Sequence, residues 1–197
     1  MAAAKARAGR YARSVSRAPA SFVRIADADE IVIGGRVWRT IVGTGHSPEH
    51  ACLYSAELDV LISGDQVLPK ISPNISVWPQ EPDADPLTLF LDSLEKFRRL
   101  GNDTLVLPSH NLPFRGLDGR IDDLQAHHAL RLEETVAIST VPVTAVQVLG
   151  ELFKRDLDTH QLFFAIGEAL AHLHHLIGQG CVRRRMGDDG VHLFESH

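Results

Sequence analysis

Three apolar runs in this chain end in the same way, and they restrict its folding more than any other feature. "RTIVGTGH" (39–46), "DVLISGD" (59–65) and "TLVLPSH" (104–110) each pass from Val, Leu and Ile into small turn-forming residues, then into one imidazole or carboxylate. Runs of this length and composition predict short buried strands, with the small residues turning the chain at the rim of a sheet. His46, Asp65 and His110 then stand at strand ends, where a rigid backbone holds side chains as tightly as a metal site requires. Neutral imidazole and carboxylate suit Zn²⁺, and one carboxylate can bridge two cations.

The remaining elements are consistent with an α/β fold. "IVIGGRVWRTIV" (31–42) reads as two strands about a Gly-Gly turn. Residues 68–86 hold five prolines and no periodicity, which predicts a loop. Asp85 and Pro86 look like an N-cap and first helical residue. Leu87, Phe90, Leu91, Leu94 and Phe97 follow at helical spacing until Gly101. A long amphipathic helix is expected over 117–137, with Leu117, Ile121, Leu124 and Leu132 inward. "ISTVPV" (138–143) reads as a linker, and Thr144 with Gln147 as a capping box opening a helix over 145–154. A second helix is expected over 160–178, and then "CVRRRM" and "VHLF" flank "GDDG" as a hairpin. Helix, helix, hairpin is a winged-helix-like outline.

Composition limits the rest. With 197 residues, 44 % apolar and 23 % charged, the chain can bury one core plus a small second module. A net charge of -5 carries no polyanion-binding signal. No apolar run reaches membrane-spanning length. Cys52 and Cys181 suggest no disulfide framework, so reduced thiols and a cytoplasmic location are expected. Lys5, Arg7, Arg10, Arg13 and Arg17 precede the first acid, Asp27. This stretch resembles a transit peptide but is read as a basic surface helix or frayed end. The expected organisation is a basic segment over 1–20, a first domain over 21–138 and a tail module over 144–197.

"GTGHSPEH" (43–50), "LISGDQV" (61–67) and "LPSH" (107–110) resemble the last three motifs of the metallo-β-lactamase-fold hydrolases. "IDDLQAHHALRLEE" (121–134) and "ALAHLHHLIGQGCVRR" (169–184) resemble the long helix and tail of members with a winged-helix-like C-terminal domain. The resemblance implies the second half of an αββα metallo-β-lactamase sandwich, followed by a small winged-helix-like module. It implies two zinc ions, with His46 on the first, Asp65 bridging both and His110 on the second. The family's first motif, His-x-His-x-Asp-His, has no counterpart, since no histidine precedes His46. Two ligands of each metal, and the aspartate that handles the attacking water, are missing with it. The sequence therefore resembles the C-terminal half of a family member, and weak or absent metal binding by this chain alone is expected.

The function implied is zinc-dependent hydrolysis of an ester, thioester, lactam-like or phosphodiester bond in a small-molecule substrate. Two other readings are a non-catalytic binding or dimerising module, and nucleic-acid binding through Arg183, Arg184 and Arg185. The last is disfavoured beside Asp188 and Asp189. An apolar face left uncovered predicts self-association into a homo-oligomer, and no membrane partner is expected. His50 is read as support for the ligands or as core packing, and Trp78 as lining a substrate pocket. "HLHH" (172–175) is read as part of a partly exposed helix without a ligand role, and His127 with Arg131 as structural.

Overall fold

The computed structural model describes residues 15–17, 19–154 and 156–197. The expected basic segment over 1–20 falls mainly outside them. Five strands form one sheet in the order β1 (Glu30–Ile33), β2 (Arg36–Gly43), β3 (His50–Ser55), β4 (Val60–Gly64) and β5 (Leu105–Pro108). Neighbours from β1 to β4 are antiparallel, and β5 joins β4 in parallel. A parallel pair needs a crossover. The proline-rich segment and helix α1 (Pro86–Leu94) supply it, passing over one face of the sheet.

β3 has no counterpart among the expected strands. "HACLYS" lacks a run of branched residues, so local propensity is weak. Pairing on both sides makes it a strand, and Cys52 is fully buried between Ile41 and the helices. Burial pushes the Cys52 thiol up to about 12, so this cysteine is an inert core residue.

Asp85 caps α1 as expected, its carboxylate accepting from Thr88 N–H at 3.1 Å, with Pro86 at the first turn. The helix expected to run to Gly101 instead ends at Leu94 and resumes as a 3-10 turn over Phe97–Leu100. Ser93 accounts for the break: its hydroxyl donates to the Phe90 carbonyl at 2.9 Å and competes with the helical ladder. Leu87, Phe90 and Leu94 pack with Ile41, Leu61 and Val106 of the sheet. Leu117, Ile121 and Leu124 of α2 (Leu117–Ile138) complete this core. On the other face of the sheet, Thr40, Leu53, Ile62 and Leu107 form one cross-strand row, and Ile62 is 41 % exposed.

The tail module contains α3 (Ala145–Leu152), α4 (Thr159–Gly178) and a hairpin of β6 (Val182–Met186) and β7 (His192–Ser196). Val148, Leu149, Leu173, Val182 and Phe194 form its core, and Leu132 of α2 packs against both cores. The capping box is present, with Thr144 and Gln147 each bonding the other's backbone N–H. Thr144→Ala is expected to lower stability by about 1 kcal/mol, read as a lower urea midpoint with unchanged slope.

Candidate metal centre

His46 lies just after β2, where the chain crosses α1. Thr44 N–H donates to Ser93 Oγ at 3.2 Å, and Thr44 Oγ1 donates to the Leu89 carbonyl at 2.7 Å. Gln66, fully buried, ties the same turn to the helix through the Thr44 carbonyl and Ser93 Oγ. Asp65 follows β4 through Gly64, whose φ is +54°. A side chain there would collide with His50 Nε2, so only glycine fits. His110 follows β5, and Ser109 N–H donates to the Gly64 carbonyl at 3.1 Å, joining the Asp65 and His110 turns.

These three residues, read from sequence as ligands, meet in the structure. His46 Nε2 lies 3.6 Å from Asp65 Oδ2, and His110 Nε2 lies 3.4 Å from Asp65 Oδ1. Both separations exceed a charge-assisted hydrogen bond, which spans ~2.7–2.9 Å. They approach the ~3.3 Å between two ligands of one tetrahedral zinc with bonds of ~2.0–2.1 Å. His46 Nδ1 is 2.8 Å from the Asn74 carbonyl, which can only accept, so Nδ1 carries the proton. Nε2 is then the ring nitrogen that faces a carboxylate oxygen. With Nε2 unprotonated, two facing lone pairs make a place for a cation or a proton.

His50 lies beside the Asp65 turn. The Asp65 backbone N–H donates to His50 Nε2 at 3.0 Å, so that nitrogen must stay unprotonated. Burial, helped by the nearby His46, lowers the His50 pKa and keeps the ring neutral. Ser109 Oγ donates to Asp65 Oδ1, which holds the carboxylate between the two imidazoles. Sequence reasoning gave no role to Asn74, Gln66 or Ser109. Gln66 and Ser109 sit inside the quoted motifs, but Asn74 lies in the proline-rich loop and carries no local signal.

The donors fit zinc in kind and fall short in number. Each imidazole faces one oxygen of a shared carboxylate, whereas catalytic zinc takes three protein ligands. Among the described residues no three His, Cys, Asp or Glu side chains form a group able to hold one metal ion. Side-chain exposure is 26 % for His46, 29 % for Asp65 and 64 % for His110, so the site opens to one side.

The "HLHH" stretch departs from expectation. His172, His174 and His175 are buried, because α4 packs against α1, α2, α3 and β6 at once. Each has a structural bond: His172 to the Glu168 carbonyl at 2.8 Å, His174 to the Ala84 carbonyl at 2.9 Å and His175 to Thr88 Oγ1 at 2.7 Å. His128 on α2 contacts His172 at 3.5 Å, beside the rings of Phe90 and His127. Burial lowers the His128 pKa to about 3 and the His172 pKa to about 4.

An unfolded histidine binds its proton near pH ~6.5. Stability from these two neutral rings is therefore fully present above that pH and lost as pH falls toward 4 and then 3. Burial raises Glu168 to about 7, which acts oppositely between that pH and the unfolded carboxylate value. The two histidines outweigh it in the acid range. Urea midpoints are expected to drop below about pH 6, and His172→Asn to flatten that limb. A wild-type midpoint independent of pH from about 7 to about 4.5 would contradict this.

Trp78 stands on the loop segment that continues from Asn74, its ring 5.7 Å from Phe163 and 6.1 Å from Phe164 of α4. Arg183 is paired with Glu195 at 2.7 Å and Arg184 with Asp83 at 2.9 Å. No helix among the described residues is long and apolar enough to cross a membrane.

The fold is mixed α/β, and it gathers two histidines around one aspartate at its strand ends. The chain belongs to the metallo-beta-lactamase superfamily, whose profile matches residues 2–110. A second profile, the metallo-beta-lactamase-like C-terminal domain, matches residues 132–197. The chain is similar to a beta-lactamase domain protein from Burkholderia ambifaria, at 48 % identity and a TM-score of 0.90. That match covers 100 % of this chain and 59 % of the Burkholderia chain. It is also similar to a metallo-beta-lactamase family protein from Thermus thermophilus, at 32 % identity and a TM-score of 0.80, covering 91 % of this chain and 56 % of that one. The chain thus spans somewhat over half the length of both. No curated protein sequence matches significantly.

Proposed function

We propose that this chain carries part of the dinuclear zinc site of a metal-dependent hydrolase. His46 would hold one cation, His110 the other, and Asp65 would bridge them. One observation carries this reading: the two imidazole Nε2 atoms approach opposite oxygens of a single carboxylate, at 3.6 and 3.4 Å. Superfamily membership supports hydrolysis, since members are typically hydrolases. The substrate would be a small molecule with an ester, thioester, lactam-like or phosphodiester bond.

Zinc ions bound here would supply Lewis acidity and water deprotonated near pH ~7. The chain's own residues orient the site. Asn74 fixes the His46 tautomer, His50 anchors the Asp65 backbone and Ser109 turns the Asp65 carboxylate. His46 and His110 act as ligands and transfer no proton. The donor count supports a site completed by ligands from outside these three residues. The chain alone is then expected to bind zinc weakly and to lose it to a chelator.

Calorimetric titration with zinc tests this. Weak binding abolished by His46→Ala and His110→Ala supports it, and binding unaffected by both variants refutes it. Two tightly held zinc ions would show that further ligands lie within this chain. The shortfall of donors also favours a second reading, a non-catalytic module that keeps the fold. In that case hydrolysis stays absent when the missing ligands are supplied on a complementing polypeptide. The tail follows the helix, helix, hairpin order of a winged helix, but the paired Arg183 and Arg184 give no support to nucleic-acid binding. For partners we propose the small-molecule substrate and a second copy of this chain. The second copy would meet it through the row containing Leu53, Ile62 and Leu107, with concentration-dependent elution in size-exclusion chromatography as the check.

A further inference from the structure

We propose that the cleft between the Trp78 segment and α4 is a binding subsite for the apolar end of a substrate, an aryl or short acyl group. The proposal rests on the hydrolase reading above for the rest of the ligand, though the cleft's own binding can be measured without metal. The cleft has a volume of about 150 Å³ and is lined by Trp78, Pro79, Pro82, Phe163, Ile166 and Leu170 among others, none of them charged. An apolar cavity of about that size accepts a benzene ring. It suits one ring or a short alkyl chain and is far too small for a helix of a partner protein.

Both walls are held in place. Gly167 presents bare backbone to the loop, and a Cβ there would come within 2.7 Å of Ser76 Cβ. Val77 N–H donates to the Gly167 carbonyl at 3.0 Å, and Ser76 Oγ lies 3.3 Å from the Phe164 carbonyl. Trp78 and Phe163 are nonetheless each 38 % exposed, so ring surface remains open to a ligand.

The same loop segment reaches the metal centre. The Asn74 carbonyl holds His46 Nδ1 at 2.8 Å, and Ser76 Oγ donates to Asn74 Oδ1 at 3.0 Å. Trp78 is four residues further on, at most ~14 Å away in extended chain. In this proposal one small molecule would place its scissile bond at His46 and Asp65 and its apolar end against Trp78. The tail module then supplies a wall of the substrate site, which assigns a role to Phe163, Ile166 and Leu170 of α4.

The test uses the full metal-free chain carrying Trp38→Phe, so that Trp78 is its sole tryptophan. Its emission is followed during titration with benzyl alcohol, with glycerol as the polar control. The expected result is a saturable shift with benzyl alcohol and none with glycerol. Binding is expected to weaken at least tenfold in Ile166→Phe, which fills the cleft, and in Phe163→Ala, which removes a half-exposed wall. Circular-dichroism melts identify which variants remain folded, and either one suffices. Methyl phenylacetate is expected to bind about tenfold more tightly than methyl acetate. Absence of a saturable shift, unchanged binding in a folded variant, or equal affinity for the two esters would overturn the proposal. Failure of the hydrolase reading shows separately, in the zinc titration.

Discussion

Asp65→Asn is expected to lower the zinc affinity of this chain by about 100-fold or more while leaving its fold intact. Loss of a residue that merely orients a ligand already costs ~10–100-fold. Asp65 would itself be a ligand in the proposed site: its carboxyl oxygens are the atoms that His46 Nε2 and His110 Nε2 approach. Asparagine keeps the shape but removes the charge. Its amide group can also donate to an imidazole lone pair, occupying the place the cation needs. Stability should change by no more than ~0.5 kcal/mol. The side chain is 29 % exposed, and the bond from the Asp65 backbone N–H to His50 does not depend on it. Competition with a chromogenic chelator reads the affinity, and a urea melt reads the fold. Zinc affinity equal to wild type would mean that the metal binds elsewhere.

Gly45→Ala is expected to cost about 2–6 kcal/mol and to displace His46. Its φ is +92°, where an alanine is strained by ~1–3 kcal/mol. The new Cβ would also stand 2.6 Å from the Pro86 carbonyl oxygen and 2.8 Å from Phe90 Cα, and would overlap Phe90 Cβ. These are backbone and near-backbone atoms of α1, which cannot rotate away, so overpacking adds ~1–3 kcal/mol. Gly101→Ala is the matched control, because its φ is +90° and nothing lies within 4 Å of the added methyl. Gly101→Ala should show only the strain part, and Gly45→Ala a lower unfolding midpoint together with weaker zinc binding. Equal costs for the two variants would show that α1 does not confine the His46 turn.

Much of the architecture was readable locally. The first hairpin, the Asp85 and Thr144 caps, α2 and the terminal hairpin all follow from periodicity and turn chemistry within a few residues. β3 was not readable, because "HACLYS" owes its conformation to neighbours on both sides. The burial of His172, His174 and His175 was not readable either. Alternation with leucine describes one exposed and one covered face, and four elements close around this helix.

The identity of the three groups proposed as ligands belongs to the chain's local patterning. An apolar run, a small-residue turn and a terminal His or Asp already place His46, Asp65 and His110 at strand ends, and the sheet order brings those ends together. Their chemical state comes from contacts between distant parts of the chain. Asn74 fixes the His46 tautomer across 28 residues, His50 holds the Asp65 backbone across 15, and α4 braces Ser76 across 88. Periodicity and capping act over a few residues, so no local pattern can encode a hydrogen bond that exists only once the sheet, the loop and the tail helix have packed together.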